Sequence, residues 1–224
     1  AFYTWPAVTL YSGMPYVELP LLFYGTLVLW GVLWAWRRKR TAPRGPRWIV
    51  LAGIAAGLAM GVKYTAALLV AVPLAAWLVV LAVAARRGWK EGARRAAVFV
   101  GVAFLAFLPW MARNWVNTRN PVYPLLYKVF GSSNWDAQKD ARWTQAHSPK
   151  DRSPANFAKQ LNEVFFFGEH RAALLCLLFV PLILACGRRT RCPAWMLLAH
   201  AAVMYVLWFL FTQQNARFLD PAWP

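Results

Sequence analysis

The chain has 224 residues, 60% of them hydrophobic, and 25 lysines and arginines against 8 aspartates and glutamates give it a formal net charge of +17. Its apolar residues fall in blocks of about 17 to 25, the length that crosses a bilayer and more than a soluble core needs. The basic residues sit between those blocks, not on a polar surface among groove-reading elements, so the charge points away from nucleic acid.

In chain order, residues 1–10 read as the end of an apolar segment, and Tyr11-Ser12-Gly13 as a turn. The first complete crossing is expected over residues 15–36. It stops at Arg37, Arg38, Lys39, Arg40, Arg44 and Arg47, a cluster whose Pro43-Arg44-Gly45-Pro46 cannot continue a helix. Residues 48–62 and 65–85 follow as a hairpin closed by Lys63-Tyr64, with a first arm short for a crossing. A second basic gap (Arg86, Arg87, Lys90, Arg94, Arg95) precedes a crossing over residues 96–111, and the chain leaves the membrane at Arg113-Asn114. Residues 117–170 form one long polar loop. Within it, residues 155–167 carry Phe157, Leu161, Val164 and Phe165 on one helical face. That face suits either the membrane surface or packing on the bundle. Crossings over 172–186 and 194–211 flank a third basic gap at Arg188, Arg189 and Arg191.

The fold class expected is therefore all-α, a polytopic transmembrane bundle of about six full crossings with one long loop. Short basic loops mark the cytoplasmic side, which puts residues 117–170 outside, together with Lys63 and the segment around Arg217. Trp36, Trp48, Trp110, Trp115 and Trp195 suit interfacial belts, and Gly53, Gly57 and Gly61 form a stripe that permits close helix approach. Cys176, Cys186 and Cys192 have neither metal-ligand nor disulfide spacing and read as packing residues. The chain opens inside an apolar stretch and is read as one membrane domain, residues 1–224, of a longer protein.

No phosphate loop, nucleophile elbow or zinc motif is present. The chemistry-bearing candidates lie at the boundary opposite the basic loops. Glu18 stands about one turn into its helix, where a carboxylate is costly unless it faces a cavity or a partner. Lys63 occupies the hairpin turn, placed either to snorkel to the headgroups or to bind an anionic phosphate group. Arg113 and Asn114 end a helix, and Asn120-Pro121-Val122-Tyr123-Pro124 fixes an extended segment where the loop begins. Arg217 opens the next segment with a guanidinium suited to phosphate oxygens. His147 and His170 read as plain loop histidines.

The order Tyr16-Val17-Glu18-Leu19-Pro20, Gly57 to Gly61 with Lys63, Arg113-Asn114, Asn120-Pro121-Val122-Tyr123-Pro124, then Arg217-Phe218-Leu219 and Pro221, resembles the GT-C glycosyltransferases. Within them it is similar to the bacterial branch akin to protein O-mannosyltransferases and aminoarabinose transferases. Two departures stand out: Glu18 replaces that branch's aspartate, and Arg119 replaces the glycine after Thr118.

The resemblance implies an enzyme of the bacterial inner membrane that moves a sugar from a polyprenyl-phosphate carrier to a lipid, glycan or protein acceptor on the extracytoplasmic face. It assigns Glu18 a secondary acidic role and Lys63 and Arg217 the stabilisation of the leaving phosphate, and makes Arg113, Asn114, Asn120 and Tyr123 a loop motif. The family's catalytic aspartate is expected in a loop preceding residue 1. Membrane lipids are the other expected partners, nucleic acid is not, and a divalent metal ion is allowed as a cofactor without being required. The alternative is a transporter or flippase for an anionic lipid or sugar. That reading would favour charges near the bilayer midplane and repeated halves, and no internal repeat is present.

Overall fold

The computed structural model describes residues 17–37, 45–149, 151–164 and 188–214, and among these every regular element is helical. In chain order they are α1 (Glu18–Arg37), α2 (Gly45–Val62), a π-helical turn (Ala67–Ala71) running directly into α3 (Val72–Ala84), α4 (Trp89–Thr118), α5 (Tyr127–Phe130), α6 (Ala137–His147), α7 (Pro154–Asn162) and α8 (Arg188–Phe211). Three helical stretches are long and apolar enough to cross a membrane: Glu18–Ala35, Ala67–Ala84 and Trp89–Thr118. Arg47–Val62 and Trp195–Phe211 are apolar but shorter. The crossing expected over 172–186 lies outside the described residues.

α1, α2, α4 and α3 close a ring in which α1 packs on α2 and α3, and α4 packs on both arms of the hairpin. Small residues set these contacts, as close packing in lipid requires. A methyl group added at Gly53 would meet the carbonyl oxygen of Phe99 at 2.8 Å, and one at Gly57 would meet the Ala106 Cβ at 2.6 Å, so both glycines lie flush against α4. Gly61, the third member of the stripe, faces open space. Gly31 against Ala52 and Gly92 against Val79 do the same for α1–α2 and α3–α4. The core inside the ring is aliphatic, with Val28, Val32, Ala56, Ala59 and Leu74 fully buried around Phe99.

The π turn has a local cause. Proline at position 73 has no N–H to give the carbonyl four residues back, and its ring crowds that carbonyl. The chain widens instead, and Val72 N–H bonds the Ala67 carbonyl five residues back. Leu69 and Val70 are buried by this turn in two different clusters, Val70 inside the ring and Leu69 against Met204, Tyr205 and Trp208 of α8.

The second basic gap is mostly helix. Only Ala85 to Gly88 turn the chain; α4 starts at Trp89 and carries Lys90, Arg94 and Arg95 in its first turns. Glu91 makes this possible by accepting from Arg94 Nε at 3.0 Å and from Arg95 Nε at 2.7 Å, three and four residues on, where helical side chains meet. Arg95 also donates to the Ala35 carbonyl at 3.3 Å and so ties the end of α1 to α4. Arg47, Arg86, Arg87, Lys90, Arg94 and Arg95 thereby gather at one end of the ring, beside stacked Trp34 and Trp48.

The stretch 117–170 is far from featureless, holding α5, α6 and α7 among its described residues. Asp136 and Ser153 cap α6 and α7 by accepting the backbone N–H of Lys139 and Asn156. The face of α7 turns to the bundle: Phe157 packs edge-on against Tyr205 and Phe209 of α8, and Val164 is buried with them. Phe157 and Val164 thus pack on the bundle, whereas Leu161 of the same face stays exposed; Phe165 lies outside the described residues.

Candidate active site at the hairpin end of the ring

Antiparallel connections bring the start of α1, the α2–α3 link and the end of α4 to the end of the ring opposite the basic cluster. Glu18 is the first residue of α1, where its charge meets the positive end of the helix dipole. Its side chain is 3% exposed, and its Oε1 accepts from Lys63 Nζ at 3.1 Å. Lys63 thus turns inward to a buried carboxylate 45 residues away in sequence, and does not simply snorkel to the surface. Burial of the carboxylate lowers the local dielectric and strengthens its attraction to the ammonium.

The next residue, Tyr64, was not among the expected site residues, yet it is the hub. Its hydroxyl donates to the Tyr123 carbonyl at 2.8 Å and accepts from Asn114 Nδ2 at 2.8 Å and Trp110 Nε1 at 3.1 Å. Its ring stands edge-on to Phe107 at 6.1 Å. One phenol therefore joins the hairpin, the last turns of α4 and the loop motif. The available signal was position: a tyrosine in a two-residue turn between two apolar arms has an apolar ring to bury and a polar tip to satisfy.

α4 ends at Thr118 because Arg119 adopts the left-handed conformation, with φ +60°. Asn120, fully buried, then builds the loop from within: its Nδ2 donates to the Leu125 carbonyl at 2.8 Å, and its Oδ1 accepts the Val122 N–H at 3.0 Å. The Tyr123–Pro124 peptide bond is cis, and the Tyr123 ring stands edge-on to Trp135 at 5.4 Å. Ser133 N–H bonds the Thr118 carbonyl at 3.2 Å and closes the loop on itself.

Of the residues singled out by sequence, Glu18 and Lys63 form one pair, and Asn114, Asn120 and Tyr123 form one network joined to that pair through the Lys63–Tyr64 link. Arg113 stands apart: it is exposed, with its guanidinium 5.2 Å from the Trp110 ring. Trp110, expected in an interfacial belt, has its indole N–H inside the network, whereas Trp115 and Trp195 are largely exposed. His147 is exposed, stacked on Trp143 at 4.3 Å. Arg217, His170, Cys176 and Cys186 lie outside the described residues, as do the side chains of Trp36 and Cys192.

Among the described residues no three His, Cys, Asp or Glu side chains gather as a metal-ion group. A single carboxylate beside an ammonium does not make an oxygen-rich divalent-cation site, so no step is routed through a metal here. What the arrangement offers is a buried carboxylate paired with a partly exposed ammonium, held by a hydrogen-bonded clamp at the root of the 117–170 segment. No protein-family profile, curated protein or solved structure matches the chain, so the meaning of this site rests on its own residues and geometry.

Proposed function

We propose that the chain is a multi-pass inner-membrane glycosyltransferase, with about six crossings, that transfers a sugar from a polyprenyl-phosphate carrier to an acceptor at the extracytoplasmic face. The observation that carries this reading is the pairing of buried Glu18 with Lys63, clamped through Tyr64 to the Asn114–Tyr123 motif at the end of the ring away from the basic cluster. The excess of basic residues at the opposite end supports a cytoplasmic setting for that end.

In the proposed reaction the bond between the anomeric carbon and the carrier phosphate oxygen breaks, and the acceptor oxygen takes that carbon. The acceptor proton passes to a carboxylate base, and the phosphate leaves with the bond's electron pair. Lys63, together with Arg217, offsets the charge that grows on the phosphate. Glu18 holds Lys63 in place and serves as a secondary acidic group near the acceptor.

The experiment is sugar transfer from a defined polyprenyl-phosphate donor in membranes carrying the full-length protein, normalised to folded protein. Lys63→Met and Arg217→Met should each lower turnover roughly ten- to a thousand-fold, as expected for removing one preorganised electrostatic group. Glu18→Asp should keep part of the activity that Glu18→Gln loses. Wild-type turnover by all of them would remove the proposed site. Donor-independent movement of an anionic lipid across vesicle membranes, with no transfer, would favour a flippase.

A further inference from the structure

The loop after α4 ends in an apolar tip that nothing in the proposed chemistry uses. Leu126, Val129 and Phe130 cluster at the short helix α5, Leu126 as its left-handed N-cap and Val129 and Phe130 in its last turn. All three are exposed, Leu126 at 59% and Val129 at 71%. Their exposure is not that of a loose segment: Asn120 holds the Leu125 carbonyl, Tyr64 holds the Tyr123 carbonyl, and Ser133 closes the loop onto Thr118. A tip fixed at three points keeps its apolar face outward at a standing cost unless something apolar receives it.

Two further observations say what receives it. The tip is anchored at the end of α4, a helix apolar and long enough to cross a membrane, whose last turns also expose Trp115 and Val116. The loop that bears the tip closes back on the end of this same helix, through the Ser133 N–H to the Thr118 carbonyl. The cations are also placed for headgroups: Lys128 is exposed within the tip, and Arg119 is exposed at its root. By contrast α6, a few residues on, is polar and presents Gln138, Lys139, Arg142 and Gln145 to solvent.

We propose that Leu126, Val129 and Phe130 form a foot that inserts into the interfacial layer of the bilayer crossed by α4, with Lys128 at the level of the lipid phosphates. An apolar face with a cation beside it suits this depth, about 5–10 Å into the headgroup and acyl boundary. The foot would hold the Asn114–Tyr123 network at a fixed height over the lipid, whatever reaction the site performs.

The test places a single cysteine at Val129, or at Gln138 as a control, in the full chain with Cys176, Cys186 and Cys192 replaced by alanine. Each cysteine carries a polarity-sensitive fluorophore, and the chain is reconstituted in phosphatidylcholine–phosphatidylglycerol vesicles. The Val129→Cys probe should emit to the blue and be quenched more by lipids spin-labelled near the headgroup than by those labelled at the acyl end. The Gln138→Cys probe should stay water-like and unquenched. Water-like emission at Val129→Cys overturns the proposal. So does blue emission that neither lipid quenches, since the face would then be covered by protein, whether a second copy or another part of this chain. If the cysteine-free chain fails to fold, the unaltered chain in vesicles containing a headgroup-proximal photoreactive lipid gives the same answer. Lipid adducts should map to residues 126–130 and not to α6, and adducts absent from 126–130 overturn the foot.

Discussion

Replacing Tyr64 with phenylalanine tests the clamp with the smallest chemical change. The ring and its contact with Phe107 remain, while three hydrogen bonds go, to Tyr123, Asn114 and Trp110. Asn114 keeps a long bond to the Pro121 carbonyl at 3.4 Å, but the Trp110 N–H and the Tyr123 carbonyl lose the partner supplied by this hydroxyl. A hydrogen bond nets about 0.5–1.5 kcal/mol, and membrane-protein averages lie near 0.6. Three together give about 2–4 kcal/mol, concentrated where the loop meets the ring. Amide hydrogen exchange reads this locally: 2 kcal/mol corresponds to roughly thirty-fold faster opening, and we expect at least that over residues 119–133. Residues 137–147 of α6 should be unchanged. Exchange in 119–133 equal to wild type would refute the hub, and uniform acceleration along the whole chain would mean that Tyr64 serves global packing instead.

Three other perturbations test the packing and charges of the fold. Glu18→Gln or Lys63→Met alone should each destabilise the folded chain in detergent by roughly 1.5–3 kcal/mol, the net worth of a hydrogen bond between charged groups. The double variant should lose much less than the sum, and singles that add to within about 0.5 kcal/mol would show that the two do not interact. Gly57→Ala forces a methyl onto Ala103 and Ala106 of α4, and should cost about 1–3 kcal/mol in thermal stability, whereas Gly61→Ala should be neutral or slightly stabilising; equal effects would undo the packing argument. The Ser153 backbone N–H and then its hydroxyl hold the Asp151 carboxyl below its ordinary range. A carboxylate depressed in the folded state stabilises above its unfolded pKa and loses that contribution as pH falls through the folded one. Protection of residues 151–156, corrected for intrinsic exchange, should therefore persist to about pH 4 and fall only below it; loss already near pH 6, or the same acid response in Asp151→Asn, would count against this role.

Much of the site was legible because its parts are local in sequence. A lysine in a two-residue turn between apolar arms had to sit at one end of a hairpin, and the Asn120-to-Pro124 run had to leave the helix; expected as extended chain, that run is instead a series of turns, because the Asn120 carbonyl accepts the Tyr123 N–H and its side chain the Val122 N–H. Glu91 with Arg94 and Arg95 was equally legible, since carboxylate–guanidinium spacing of three and four marks a helix turn, yet the charge density of the region favoured a loop reading. The face of α7 could not be assigned from its own residues. Phe157 and Val164 are equally apolar against lipid or against Tyr205 and Phe209, and only the position of α8 chooses between them.

The sequence by itself determined which stretches are apolar, where the positive charge lies between them, and which polar residues stand at helix ends, because hydrophobic length and short-range spacing are properties of the chain alone. The tertiary structure decided what those residues meet. It paired Glu18 with Lys63 across 45 positions, gave the Tyr64 hydroxyl three partners from two other segments, widened the helix before Pro73 to seat Leu69 on α8, and left the α5 tip facing outward. Each depends on helix rotation and on the closest approach that Gly53 and Gly57 allow, and those are fixed by packing between elements, which no single segment of sequence contains.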